Sequence, residues 1–205
     1  FVMTDKDLNL TMGTVDVGSL PTADVRDRAL ESDPAAMYRY EPADETTPMV
    51  RYGTGTPVRF TGSTHDEHAF ITKDPPTVGG LNRHLIDKIE QHRDEIEMVD
   101  ADLQEGANTL VVSYGSTAAA MRSAVGGLRA GGRSVSMATV HSLWPLPEAA
   151  LGAAFGAVDR VVVAELNPGL YAREIERLAP GCEVVPVNRI DGEMLTPEEI
   201  AGAVS

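Results

Sequence analysis

Thr109-Leu110-Val111-Val112-Ser113-Tyr114 followed by Gly115-Ser116-Thr117 is the stretch that decides the fold. A short apolar, β-branched run that gives way at once to a glycine turn and an alanine-rich segment predicts a buried strand feeding a helix. Ser116 or Thr117 is expected to cap that helix, which runs to about Leu128 before Gly131-Gly132 stops it. Working outward, the same unit repeats. Ser134 to about Val140 is a second strand, leading through Leu143-Trp144-Pro145-Leu146-Pro147 into a helix from about Glu148 to Phe155. Arg160–Glu165 and Asn167-Pro168-Gly169 introduce a helix around Tyr171 to Leu178. Glu183–Val187 precedes a last helix opened by Thr196-Pro197-Glu198-Glu199, which has the form of a capping box. Strands alternating with helices at this spacing predict right-handed crossovers and an α/β domain with a mostly parallel sheet flanked by helices, beginning near Gly106.

The preceding half reads differently. From Leu20 to about Pro57 the chain is rich in Pro, Asp, Glu, Thr and Gly and has no sustained period, so it is read as a long irregular connector. From Thr77 to Glu97, Leu81, Leu85, Ile86, Ile89 and Ile96 fall at helical spacing among charged residues and predict one amphipathic helix with a wet outer face. Phe1-Val2-Met3 reads as the end of a buried strand, so the chain is expected to begin within a longer protein.

The 205 residues carry a formal charge of -14, with Lys6, Lys73 and Lys88 the only lysines. Phosphate backbones are bound by clustered Lys and Arg, so this balance argues against nucleic acid and against anionic membrane surfaces. No run approaches the ~20 apolar residues that span a bilayer. Cys182 is the only cysteine, which excludes an internal disulfide and an all-cysteine cluster, and it reads as a small core residue.

Four places carry residue types with chemical potential. Gly115, Ser116 and Thr117 sit where a strand ends and a helix begins, the place where a sheet offers amides to an anion, although no GxGxxG or GxxxxGK[ST] pattern is present. Glu165 and Asn167 project from the carboxyl end of the most hydrophobic strand. One carboxylate without a second acid, base or nucleophile makes no reaction, so a packing or interface role is expected. His65, Asp66, Glu67 and His68 have metal-ligand identities but neither HExxH nor cysteine-bearing spacing, and are read as hydrogen-bonded residues at a junction rather than a metal site. Trp144 is an aromatic anchor of the kind found under loops and at interfaces.

Taken in order, Thr61-Gly62-Ser63-Thr64-His65-Asp66-Glu67, Thr72-Lys73-Asp74-Pro75, Tyr114-Gly115-Ser116-Thr117-Ala118, Leu143-Trp144-Pro145-Leu146-Pro147-Glu148, Glu165-Leu166-Asn167-Pro168-Gly169-Leu170 and the closing Asp191-Gly192-Glu193 with Thr196–Ile200 resemble the alpha subunit of 2-oxoacid:ferredoxin oxidoreductases of the 2-oxoglutarate and branched-chain type. Leu146 and Leu170 depart from the aromatic residue and glutamine of the family pattern. The resemblance implies that residues 1–105 hold the end of a pyrimidine-binding domain, the connector and the helix, and that 106–205 form a transketolase C-terminal-like domain.

It further implies an enzyme converting a 2-oxoacid, coenzyme A and oxidised ferredoxin to acyl-CoA, CO2 and reduced ferredoxin in the cytoplasm. Thiamine diphosphate and Mg2+ would sit between alpha and beta subunits, with iron–sulfur clusters on other chains or domains. The catalytic glutamate would lie upstream of Phe1. This portion would bind no cofactor alone and would serve assembly with the beta subunit, reaching ferredoxin through the full complex. Alternatives are the last domain of a transketolase or of a 2-oxoacid dehydrogenase beta chain, or a stand-alone nucleotide- or coenzyme A-binding module at Gly115.

Overall fold

The structure, a computed structural model, describes residues 6–22, 25, 27–33, 37 and 47–204. The expected strand at Phe1-Val2-Met3 and much of the connector lie outside these residues. Two compact units are present: one takes in the residues up to Thr14 and those from Arg93 on, the other spans Val15–His92. In chain order the elements are α1 (Lys6–Leu10), a 3₁₀ turn at Val17–Ser19, β1 (Leu30–Glu31), β2 (Met49–Val50), α2 (Pro75–Glu90), α3 (Arg93–Ile96), β3 (Val99–Asp102), β4 (Thr109–Tyr114), α4 (Thr117–Ala130), β5 (Ser136–Val140), α5 (Glu148–Phe155), β6 (Arg160–Glu165), α6 (Leu170–Leu178), β7 (Glu183–Asn188) and α7 (Pro197–Val204).

In the Val15–His92 unit, the described residues of the connector form a two-residue parallel pairing, Leu30 with Met49 and Glu31 with Val50. α2 starts where its cap chemistry is strongest. The Asp74 carboxylate accepts from Thr77 N at 3.1 Å and Thr77 Oγ1 at 2.7 Å, and Pro75 and Pro76 occupy the first helical positions, where no amide donor is needed. The single helix expected from Thr77 to Glu97 is two: α2 ends at Glu90, and α3 resumes at Arg93 in the other unit. The periodicity survives the interruption, which is why the sequence reads as continuous. Of the apolar stripe, Leu81 is buried but Leu85 and Ile86 are exposed, so this face is less covered than an amphipathic pattern predicts.

The α/β unit holds a five-stranded sheet in the order β3-β5-β4-β6-β7. β5, β4, β6 and β7 are mutually parallel and β3 pairs antiparallel with β5, Val99 opposite Val140. The sheet therefore reaches back past Gly106 to take an edge strand from the segment before it. β4 and β6 are central, and their runs of fully buried residues follow from being covered on both faces.

Alternation sorts the core into two layers. Leu110, Val112, Val161 and Val163 pack with Leu151 and Phe155 of α5 and Tyr171 and Ile175 of α6. Val111, Val162 and Ala164 pack with Met121 and Val125 of α4 and Ile200 and Val204 of α7. From β4 the chain moves through α4 to β5 on one side, and from β5 it returns through α5 to β6 on the other. The carboxyl ends of β4 and β6 thus form the topological switch point, where open α/β sheets place ligands.

Candidate functional site

At the switch point the register sets Ser113 beside Ala164, and the Ser113 hydroxyl donates to the Ala164 carbonyl at 2.8 Å. The next residues on the two strands, Tyr114 and Glu165, meet at the carboxyl edge. Glu165 is the only buried charged residue among those described, at 1% exposure. Four donors converge on it. Oε2 accepts from Tyr114 OH at 2.9 Å, Asn167 Nδ2 at 2.7 Å and Tyr171 N at 3.1 Å, while Oε1 accepts from Ala172 N at 3.0 Å. The carboxylate thereby satisfies two of the orphan amides that open α6, at the end of the helix that favours negative charge.

Asn167 completes the arrangement. Its Oδ1 accepts from Gly169 N at 3.0 Å and Leu170 N at 2.8 Å, and its Nδ2 also donates to Tyr114 OH at 2.6 Å. Gly169 holds φ at 86°, and a β-carbon there would lie 3.0 Å from Asn188 Nδ2. The Pro168-Gly169 turn is therefore built for glycine. Burial, then the hydrogen bond and charge of Glu165, push the Tyr114 phenol well above its ordinary range; burial, Glu165 and Glu174 do the same for Tyr171. The two rings meet edge to face at 5.3 Å between centroids. This cluster closes the switch point with its own side chains.

The Gly115 turn beside it is tight, with Gly115 at φ 58°. Gly115 is exposed, whereas Ser116 and Thr117 are buried at 9% and 3% exposure. The expected hydroxyl cap is not made: Ser116 already has helical backbone angles, and its Oγ contacts Met194 Sδ at 4.0 Å. The capping box of α7, by contrast, forms as the sequence predicts, Thr196 N donating to Glu199 Oε2 at 2.8 Å and Glu199 N to Thr196 Oγ1 at 3.3 Å.

His65, Asp66 and Glu67 lie in the other unit. Asp66 Oδ1 accepts from His68 N at 2.9 Å and Phe70 N at 3.0 Å, bonds that hold its carboxyl below the usual range and shape the loop between Thr64 and Thr72. His65 Nδ1 is 3.1 Å from the Ser63 carbonyl. Among the described residues no group of three His, Cys, Asp or Glu side chains is placed to hold a metal. This loop and the flank of α2 bound an open groove of about 610 Å3 into which Arg83, His84 and Lys88 also face, a grouping the sequence reading did not assemble.

Trp144 stands exposed after β5, with a cis bond to Pro145. Cys182, expected in the core, is only half-buried against its edge, its thiol 3.3 Å from the Val158 carbonyl and pushed up by burial. Tyr114 and Tyr171 were not singled out by sequence; only the strand register reveals that they frame Glu165.

A mostly parallel five-stranded sheet, flanked by helices on both faces and carrying a buried glutamate at its switch point, defines an α/β domain. Residues 107–200 match the family described as pyruvate:ferredoxin oxidoreductase core domain II. Over 165 residues, 80% of this chain and 44% of its relative, the chain is 34% identical to 2-oxoglutarate synthase subunit KorA of Methanothermobacter thermautotrophicus. It is 29% identical over 189 residues to the alpha subunit of 2-oxoacid:ferredoxin oxidoreductase 2 of Aeropyrum pernix, covering 87% of this chain and 28% of that one.

The solved 2-oxoglutarate:ferredoxin oxidoreductase of Magnetococcus marinus, with 2-oxoglutarate, coenzyme A and succinyl-CoA bound, shares the fold. Its TM-score is 0.71 over 87% of this chain and 32% of that chain, at 24% identity. By these matches the chain is a relative of the alpha subunits of 2-oxoacid:ferredoxin oxidoreductases. It spans less than half the length of the curated relatives it matches. The transketolase, dehydrogenase and stand-alone-module alternatives are not favoured by these relatives.

Proposed function

We propose that this chain serves assembly within the alpha subunit of a thiamine-dependent 2-oxoacid:ferredoxin oxidoreductase, pairing with a beta subunit in the cytoplasm. The parent reaction on this reading is oxidative decarboxylation of a 2-oxoacid with coenzyme A, giving acyl-CoA, CO2 and reduced ferredoxin. The observation that carries the assembly role is Glu165: the one buried charge at the switch point among the described residues is 1% exposed and takes four donors of its own chain, so it is not presented to a substrate.

The donor set fits a division of labour in which cofactors are held elsewhere. A single cysteine cannot ligate an iron–sulfur cluster. The Ser116 and Thr117 side chains are buried in the turn instead of standing free to bind a diphosphate, and no metal-ligating group is assembled among the described residues. On this reading thiamine diphosphate and Mg2+ are held between the alpha and beta subunits, and the clusters on other chains or domains. Among the described residues no helix is long and apolar enough to cross a membrane.

The test is to purify the chain alone and co-expressed with a beta subunit from the same genome. Turnover of 2-oxoglutarate and of branched-chain 2-oxoacids is then measured with added thiamine diphosphate, Mg2+, coenzyme A and a one-electron acceptor. The expected result is a stable complex with the beta subunit and no turnover by the chain alone. Turnover by the isolated chain, or tight calorimetric binding of thiamine diphosphate or coenzyme A to it, overturns the reading and makes the Gly115 turn a working site.

A further inference from the structure

We infer that the carboxyl edge of the parallel sheet is the docking face for a different polypeptide, one with an apolar centre and a basic rim. The inference rests on the assembly reading and specifies which surface does it. Among the described residues from Arg93 onward, six large apolar side chains are exposed, and five of them gather at this edge. Leu143 and Trp144 follow β5, Leu170 opens α6 after β6, and Ile190 follows β7. Met98 joins them because β3 runs antiparallel to β5: the Met98 carbonyl accepts from His141 N at 2.9 Å, just beyond the end of β5. Leu103 alone sits at the opposite edge.

Scattered exposed apolar residues need no explanation, but their concentration on one edge marks a contact surface. Trp144, 69% exposed, is of the residue type most enriched among binding hot spots. The platform beneath is fixed by the Tyr114, Glu165 and Asn167 bonds and by the α7 capping box, so little ordering remains to be done on binding.

Charge selects the occupant. Asp100 near the start of β3, Glu148 in the first turn of α5, Asp191 and Glu193 after β7, and Glu198 in the first turn of α7 surround the apolar set. Two of these acids are already paired with arginine, Glu148 with Arg177 and Asp191 with Arg189. Each arginine is shared with a second carboxylate, Glu174 and Glu199, and Glu193 and Glu198 add to them, so the rim keeps a net negative charge. A second copy would bring the same acidic rim and another formal charge of -14, so self-pairing is repelled, whereas a Lys- and Arg-rimmed partner is attracted.

The experiment uses the chain with the co-expressed beta subunit and measures affinity by calorimetry across a salt series. Trp144→Asp combined with Ile190→Asp is expected to weaken binding by at least about 100-fold, as loss of two anchors implies. Leu103→Asp, at the far edge, is expected to leave it unchanged, and Glu193→Lys to weaken it and flatten its salt dependence. Both aspartate variants alter exposed side chains, and unchanged circular dichroism verifies their fold. If the wild-type chain binds and the double variant binds equally well, the docking face is wrong while the assembly reading stands. If the wild type does not bind the beta subunit, the assembly reading fails and this inference with it. Self-association through this edge, abolished by Trp144→Asp, overturns the choice of partner; affinity that does not fall with salt overturns the basic rim.

Discussion

Replacing Glu165 by glutamine asks whether the switch point is held together from within. The substitution keeps the side-chain volume but exchanges one acceptor oxygen for an amide donor. Because Oε2 receives three hydrogen bonds and Oε1 one, the new amide is best tolerated facing Ala172 N. Two donors then confront each other in a buried site, and each unsatisfied group costs about 1–3 kcal/mol. Loss of the negative charge at the start of α6 adds a further contribution of up to ~2 kcal/mol. The expected loss is about 3 kcal/mol, a large share of the roughly 5–15 kcal/mol that stabilises a domain. Tyr114→Phe removes one donor and leaves Oε2 two others, so its loss is about 1 kcal/mol. Urea unfolding followed by Trp144 fluorescence reports on this unit, since Trp144 is the only tryptophan. Amide exchange at Tyr171 and Ala172 reads the broken bonds directly. A Glu165→Gln midpoint indistinguishable from wild type, or smaller in effect than Tyr114→Phe, with exchange at Tyr171 and Ala172 unaltered, refutes the closed-site argument.

Gly169→Ala is expected to cost about 1–2 kcal/mol, because a β-carbon is strained at φ 86° and meets Asn188 Nδ2 at 3.0 Å; a urea midpoint equal to wild type shows that the turn does not need glycine. In an ultraviolet alkaline titration, the Tyr114 and Tyr171 phenols, both raised by burial and by Glu165, are expected to ionise only as the fold opens. A raised phenol favours the neutral folded form, so its contribution to stability is fully present below about pH 10 and is lost as pH climbs beyond it; reversible ionisation of all five tyrosines with unchanged circular dichroism contradicts this.

The strands and helices from Thr109 onward were legible because each apolar run is short, β-branched and bounded by glycine or proline, and because burial on both faces removes polar residues from β4 and β6. β3 was not legible. Val99-Asp100-Ala101-Asp102 looks like a polar connector, and it becomes a strand only because the edge of β5 offers unpaired backbone groups and Arg129 draws in Asp102, at 2.6 Å. The site was legible in part. Glu165 and Asn167 stand out at a strand end, but the partner that locks them, Tyr114, is 51 residues from Glu165, and only the pairing of Ser113 with Ala164 brings the two together. The expected cap of α4 is not made because Ser116 itself holds helical backbone angles, whereas a capping hydroxyl needs an extended residue just before the helix.

A buried carboxylate in an α/β sheet invites a catalytic reading, and its burial among donors of its own chain argues the other way. A general acid or base must exchange protons with substrate, so one of its oxygens has to be reachable by the substrate or through water. Glu165 is 1% exposed and all its partners are fixed: two are helix amides, one is an asparagine that itself caps the same helix, and one is a phenol pushed toward its neutral form. What this geometry accomplishes is positional. It ties β4, β6 and the start of α6 at one point, and it does so directly beneath the loops that carry Trp144, Leu170 and Ile190. An apolar rim on a mobile edge would lose much of its binding energy to ordering, whereas one set above a fully bonded buried charge presents its anchors already in place. The buried charge and the exposed apolar residues are therefore two halves of the same arrangement, the first costing desolvation that its four donors offset, the second giving the chain a face on which a partner can settle.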